Sequence, residues 1–396
     1  MIRWLDNLLP ISIVLPRSKS IVIRCLIVHY LRTGKLLPVF DDDSNDIKIV
    51  FKALTQIDSQ KKNSIRGECV IDVEDCGAAY RFLMALLAAT PGKWLLNGTQ
   101  RLLERPILPL VNFLNAHGAS IKKTDLGWYI IGRELKIDNI EIDARETSQF
   151  ASAVMMMQGM KCEVRGKEKG KRRNPYIQMT EAILQLSCSD EIINDISMLS
   201  DWSAAAFWIA DALLKPYAYY LLKNLHFDNL QGDAGIVLWF KKCGIAFTEN
   251  GHGIEVEHVA HIDIPKQQIN VIHTPDIAII IATLSVCYPF ELTLSGLKTL
   301  NLKESKRLDN MIEELSKFTT INKLSGDSIT ISKRTKKLPK RFNFDSCNDH
   351  RFVMAWTLFK NYGKVKITNT DCIKKSYPSF ALLTEINDNL KSKIKI

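Results

Sequence analysis

Six times along the chain a polar cluster opens an apolar run of helical length, a Gly, Pro or Lys break follows, and a short β-like run comes next. The runs are "SKSIVIRCLIVHYLRTGKLLPVF" from Ser18, "CGAAYRFLMALLAATPGKWLLNG" from Cys76, "TSQFASAVMMMQGMKCEVRG" from Thr147, "DWSAAAFWIADALLKPYAYYLLKN" from Asp201, "PDIAIIIATLSVCYPFELTLSG" from Pro275 and "NDHRFVMAWTLFKNYGKVKITN" from Asn348. Successive starts are separated by 58, 71, 54, 74 and 73 residues. Between several of them stands a second shared piece, an amphipathic helix that opens into a two-strand turn, as in "PILPLVNFLNAHGASIKKTDLGWYII", "DAGIVLWFKKCGIAFTENGHGIEVE" and "RLDNMIEELSKFTTINKLSGDSITIS". Apolar residues at i, i+3, i+4 mark the helices, and alternation or β-branching marks the strands. An α+β block therefore recurs, and at 396 residues three blocks in each of two domains give domains of ordinary size.

The long runs are apolar on nearly every face, so those helices are expected to be buried with only their ends reaching solvent. A helix N-terminus presents unpaired N–H groups and the positive end of the helix dipole, which suits an anion. The six ends carry Ser18-Lys19-Ser20, Cys76-Gly77-Ala78, Thr147-Ser148-Gln149, Asp201-Trp202-Ser203, Pro275-Asp276 and Asn348-Asp349-His350-Arg351. Ser, Thr, Asp and Asn are also ordinary N-caps, and that plainer reading stands beside the first at every end. Lys19, Gln149, His350 and Arg351 exceed what capping needs.

A net charge of +10 points to anionic partners such as nucleic acid, acidic membrane or phosphorylated metabolites. The lysine-rich runs at 165–173 and 332–341 read equally as solvated loops. Without aromatic residues interleaved for base stacking, they do not favour nucleic acid. No apolar run approaches the roughly 18 residues of a membrane span. The N-terminal apolar stretch is broken by Asp6 and Pro10 and has no small-residue cleavage pattern, so no secretory signal is expected. The nine cysteines form no CxxC pair and have no His at metal spacing, which predicts a reduced cytoplasmic protein without structural metal.

The segments "LPRSKSIVIR", "RPILPLVNFLNAHGA", "TSQF", "NPYI", "LKESKRLDNMIEEL" and "NDHRFVMA" resemble, in order and over nearly the whole chain, the signatures of the 5-enolpyruvylshikimate-3-phosphate synthase family. The resemblance implies an α/β fold of two domains, each of three βαβαββ units, with the active site in the interdomain cleft. It implies chain crossings near Arg17 and near Gln231-Gly232. One domain is then 1–17 with 232–396, carrying much of the phosphoenolpyruvate site and the acid/base residues. The other is 18–231, carrying most of the shikimate-phosphate site. The implied reaction transfers the enolpyruvyl group of phosphoenolpyruvate to the 5-hydroxyl of shikimate 3-phosphate, releasing phosphate, in the shikimate pathway of aromatic amino-acid biosynthesis. No cofactor, metal, nucleic acid or membrane is implied, and a cytoplasmic monomer is expected.

Carried over by position, Lys19, Ser20 and Arg24 resemble the shikimate-phosphate site, with Lys19 also near the reacting centre. Thr147, Ser148 and Gln149 match the family's Ser-Ser-Gln, and Tyr176 matches the Tyr of its "PYI" motif. Gly77, Arg105, Lys303, Arg307, His350, Arg351 and Lys375 match the phosphoenolpyruvate site. Asp276 resembles the base that takes the 5-hydroxyl proton, and Glu304 the group that protonates the methylene carbon. Without the resemblance, Asp276 reads as a helix cap, and Lys303, Glu304 and Arg307 as one solvated helix face.

Several positions depart from the family pattern: Arg17 for Gly, Asp75 for Asn, Ala78 for Thr, Arg173 for Ser and Thr299 for Asn. Alternative readings are an impaired homologue that binds phosphorylated ligands and a transferase acting on UDP-N-acetylglucosamine.

Overall fold

The computed structural model describes residues 9–62, 67–135, 137, 141–158, 163–165, 174–186, 190–228, 230–382 and 384. By internal contacts the chain divides into two compact units. Unit 1 is Met1–Arg17, Leu199–Leu300 and Arg307–Ile396, and unit 2 is Ser18–Met198 with Asn301–Lys306. The resemblance implies a return boundary at Gln231-Gly232, whereas the contacts draw it after Met198. Strand pairing is the reason. Tyr219–Lys223 pairs in parallel with Ile11–Val14, and the Asp201 N–H donates to the Pro16 carbonyl while Ser200 bridges Arg17, so 199–231 packs in unit 1.

In unit 1 one four-stranded topology occurs twice. Ile11–Val14 and Tyr219–Lys223 are parallel, followed by antiparallel Gly253–His258 and Ile245–Asn250. Gln267–Asn270, Leu292–Ser295, Ser328–Ile331 and Ile321–Ser325 repeat that order. A third sheet pairs Arg341–Asp345 in parallel with Lys364–Thr368. Unit 2 holds one four-stranded copy, Glu68–Asp72, Gly92–Asn97, Gly127–Gly132 and Ser120–Thr124, and one parallel pair, Glu141–Asp143 with Glu163–Arg165.

Each apolar run expected as a buried helix is one. In unit 1 they are Trp202–Leu213, Ala278–Cys287 and His350–Thr357, buried along their whole length. In unit 2 they are Lys19–Thr33, Gly77–Ala89 and Gln149–Gln158, largely buried. The surrounding strands alternate as half-buried strands must. In Arg341–Asp345, Phe342 and Phe344 turn inward, and Phe344 stacks on Trp356 at 4.9 Å between ring centroids. Truncating such a residue to Ala costs about 3–5 kcal/mol.

Among the described residues the run 35–40 after Lys19–Thr33 is assigned to no strand, and the helix Asn45–Lys62 follows. No helix among the described residues is long and apolar enough to cross a membrane.

Candidate active site

In unit 2 the helix ends gather a set of cations that are held mostly by neutral groups. Ser18 stands at the N-cap of Lys19–Thr33 without a side-chain capping bond. From the first turn of that helix, the Lys19 ammonium pairs with Asp46 at 3.0 Å. One turn on, Arg24 is buried. Its Nε donates to Thr180 Oγ1 at 2.8 Å, its Nη1 to the Ser20 carbonyl at 2.8 Å, and its Nη2 to Ser152 Oγ and the Tyr176 carbonyl at 3.3 and 3.5 Å. Burial lowers its pKa to about 10, so it stays cationic at neutral pH. Most of its donors hold neighbouring helices, so Arg24 fixes the geometry around Ser20 and Tyr176.

Arg81 organises the other side of this set. Its Nη1 donates to the Gly77 carbonyl at 3.1 Å and to Gln149 Oε1 at 2.9 Å, while Nε and Nη2 reach the Pro106 carbonyl at 3.2 and 2.9 Å. Burial, and next the charge of Arg105, push its pKa down to about 9. Gln149 is thus tied to the Gly77 and Arg105 loops, and the Gln149 N–H is received by Thr147 Oγ1 at 3.2 Å. Gly77 is needed for a specific close approach, since a Cβ there would lie 2.6 Å from Arg105 Nη1. Cys76, not a hydroxyl residue, caps the Gly77–Ala89 helix by accepting from the Ala79 N–H.

Asn301–Lys306 packs in unit 2. Arg101 Nη2 donates to the Asn301 and Lys303 carbonyls at 3.3 and 3.4 Å, and Arg105 Nε to the Leu302 carbonyl at 3.2 Å. Glu304 lies 3.8 Å from Arg105 Nη1. The sequence alternative that put Lys303, Glu304 and Arg307 on one helix face fails, because the helix begins only at Arg307.

In unit 1 two buried arginines converge on carboxylates. Arg307 grips Asp349 through Nε at 2.7 Å and Nη2 at 3.2 Å, and reaches Asp276 Oδ1 through Nη1 at 2.8 Å. Arg351 Nη2 donates to the other Asp276 oxygen at 3.2 Å. Asp349 also caps His350–Thr357 through the Arg351 N–H at 3.0 Å, and His350 Nδ1 lies 3.8 Å from it. Asp276 does no capping. At 17% side-chain exposure it is the accessible member, beside arginines exposed by 1%. One guanidinium lies on each of its two oxygens. Burial lowers the pKa of Arg351, but Asp276 and then Asp201 outweigh it, and the net shift is upward. Its Nε and Nη1 are buried with no hydrogen-bond partner among the described residues. Each such donor costs about 1–3 kcal/mol or more unless a ligand takes it up. Lys375 is buried at the end of the 3-10 segment Thr370–Lys375.

Against this geometry, the sequence profile of EPSP synthase (3-phosphoshikimate 1-carboxyvinyltransferase) matches residues 40–188 and 189–382. The chain belongs to the EPSP synthase family. A 3-phosphoshikimate 1-carboxyvinyltransferase of Bacteroides fragilis is 30% identical, with 93% of each chain covered. One of Buchnera aphidicola subsp. Cinara cedri is 27% identical, with 92% of each covered. The solved EPSP synthase of Acinetobacter baumannii superposes with a TM-score of 0.64 at 18% identity over 94% of each chain, a likeness of the mixed α/β fold.

For a member of the EPSP synthase family, three residues of this site escaped the sequence reading. Asp46 sits in "DDDSND", where it looks like one more solvated acid. Arg81 lies one turn after Gly77 inside an apolar helix, a spacing that does point back at the Gly77 loop. Asp349 reads in the sequence only as part of a helix start. Of the departures, Asp75 is exposed, Ala78 and Arg17 are half-buried, and Arg17 joins Ser200 through the backbone. Arg173 and most of the 165–173 lysine run lie outside the described residues.

Proposed function

We infer that this chain catalyses enolpyruvyl transfer from phosphoenolpyruvate to the 5-hydroxyl of shikimate 3-phosphate, with release of phosphate, in the shikimate pathway. The observation that carries this reading is Asp276, held by Arg307 and Arg351 in a chain whose family profile spans residues 40–382. In this reading Lys19, Ser20, Thr147, Ser148, Gln149 and Tyr176 receive shikimate 3-phosphate, with Arg24 fixing their backbone frame. Gly77, Arg105, Lys303, Arg307, His350, Arg351 and Lys375 receive phosphoenolpyruvate. The partnerless donors of Arg351 suit a carboxylate or phosphate oxygen, and charge-assisted bonds of this kind are worth roughly 1.5–3 kcal/mol each.

Asp276 takes the proton of the 5-hydroxyl as its oxygen bonds to C2 of phosphoenolpyruvate, and Glu304 delivers a proton to the methylene carbon. Loss of a proton from the resulting methyl group then restores the double bond as the C2–O bond to phosphate breaks. Lys19 lies near the reacting centre and neutralises developing negative charge. The fold expected with this activity has three βαβαββ units per domain, which the two complete four-stranded sheets of unit 1 and the one of unit 2 support.

A coupled assay of phosphate release with both substrates tests the reading. Absence of turnover in a folded protein that still binds shikimate 3-phosphate by calorimetry would sink it in favour of an impaired, ligand-binding homologue.

A further inference from the structure

A second buried carboxyl has no part in the steps above, although the helix Trp202–Leu213 that packs on its turn packs also on Pro275–Ile277, the turn of Asp276. Asp233 lies in the 3-10 turn Gly232–Ile236, packed on the Trp202–Leu213 helix. Its Oδ2 accepts from Ser203 Oγ, on the first turn of that helix, which Asp201 caps through the Ala204 N–H. Its Oδ1 is buried with no hydrogen-bond partner among the described residues, and the residue is 5% exposed. Gln231, next to the turn, locks it in place by accepting from the Trp202 N–H at 3.1 Å and donating to the Ser200 carbonyl at 2.9 Å.

The charges that act on Asp233 come from three other elements. Asp276 and Asp201 repel its ionised form, and Arg351 attracts it. Lys241 and Lys242, at the end of the helix that continues the turn, are exposed. Asp228 is taken up by the Leu230 and Gln231 N–H groups at 2.8 Å each. Burial first, and Asp276 second, push the Asp233 carboxyl up to about 7. When Asp233 is neutral, Asp201, Asp276 and Asp349 face Arg307 and Arg351. When it ionises, a further negative charge enters near Asp276 and Arg351, and closely placed carboxylates do not ionise together without penalty.

We propose that Asp233 is a positioning residue: protonated and held by Ser203, it leaves Arg351 free to take the anionic second substrate and leaves Asp276 ionised to act as the base. The proposal rests on the reading of Asp276 and Arg351 given above. Loss of the Asp233 proton to solvent adds negative charge beside Arg351, so affinity for phosphoenolpyruvate falls as pH rises through about 7.

The test is KM for phosphoenolpyruvate from pH 6 to 9 in wild type, Asp233→Asn and Ser203→Ala, with shikimate 3-phosphate saturating. Titration of the substrate itself is common to all three proteins and cancels in the comparison. Wild type is expected to show a rise of about tenfold in KM, the scale of one pKa unit of differential interaction. Asp233→Asn keeps a partner for Ser203 and cannot ionise, so it should lose that rise. Ser203→Ala removes the bond that favours the ionised form, so the rise should move to higher pH. A purely structural role for Asp233 predicts neither change. A rise in Asp233→Asn matching wild type overturns the proposal. If that variant does not fold, a Ser203→Ala profile superimposable on wild type overturns it instead. Asp276→Asn run alongside separates the two levels: wild-type turnover in that variant overturns the site reading and the proposal with it. An inactive Asp276→Asn beside an unchanged Asp233→Asn profile overturns the proposal alone.

Discussion

Arg24 and Arg81 in unit 2 are satisfied in the opposite way to Arg307 and Arg351 in unit 1. In unit 2, Arg24 and Arg81 spend their donors on hydroxyls, carbonyls and an amide, and burial lowers both pKa values. In unit 1, Arg307 and Arg351 sit on carboxylates, and Arg351 is shifted upward. A guanidinium bonded to neutral groups keeps its field, so Arg24 and Arg81 add positive potential in a unit whose Lys19 and Arg105 have Asp46 and Glu304 as carboxylate neighbours. A guanidinium on a carboxylate loses much of that field but fixes the carboxylate in its charged form. Arg24 and Arg81 of unit 2 rest on neutral partners, and unit 1 holds a carboxylate between two arginines.

Breaking this comparison is most direct at Asp276. Asp276→Asn should lower kcat by about 10²–10⁴, the usual worth of a positioned base, with little change in binding of shikimate 3-phosphate by calorimetry. Asp349→Ala should destabilise the fold by about 3–5 kcal/mol in urea unfolding, because it leaves the Arg307 charge buried without its two-bond partner.

Stability against pH offers a third measurement. The Asp233 carboxyl, ordinarily near 3.8, is raised to about 7 in the fold, so above 3.8 the unfolded chain releases a proton that the folded chain retains. Stability therefore falls as pH rises from about 4 to 7 and is flat beyond. About three pKa units correspond to roughly 4 kcal/mol. The stability of Asp233→Asn relative to wild type should grow across that window, and parallel melting curves at pH 5 and 8 would contradict the shift.

Arg24→Met sharpens the contrast with Asp349→Ala. It removes a buried cation but strands no opposite charge, and Thr180 Oγ1 keeps Ser152 and the Tyr176 carbonyl as neighbours at 2.8 and 2.9 Å. Its cost should be about 1–3 kcal/mol, smaller than that of Asp349→Ala. The smallest effect is expected from Gly77→Ala. A Cβ 2.6 Å from Arg105 Nη1 meets the far end of a flexible side chain, so the guanidinium gives way with little loss of stability, seen as a raised KM for phosphoenolpyruvate with KM for shikimate 3-phosphate nearly unchanged.

Much of the candidate site was legible because it lies where hydrophobic pattern changes to polar. Lys19, Gly77, Gln149, Asp276 and Arg351 all stand at the start of an apolar run, and those runs are the buried helices. What stayed hidden is the partner of each charge. Lys19 meets Asp46 across 27 residues, Arg307 meets Asp349 across 42, and Ser203 meets Asp233 across 30. No local periodicity encodes such pairs. The placement of Asn301–Lys306 was equally hidden, since Arg101 and Arg105 receive it some 200 residues away in the chain.

The sequence by itself determined which segments had to be buried, because a helix apolar on every side has no stable place in water. It also determined where those helices begin, and, through its motifs, which family the chain resembles. Only the tertiary structure decided which buried carboxylates would be charged. That outcome depends on desolvation and on the few charges within several ångströms, and identical aspartates receive different answers: Asp276 lies between two arginines, and Asp233 lies beside a serine with one oxygen unpaired.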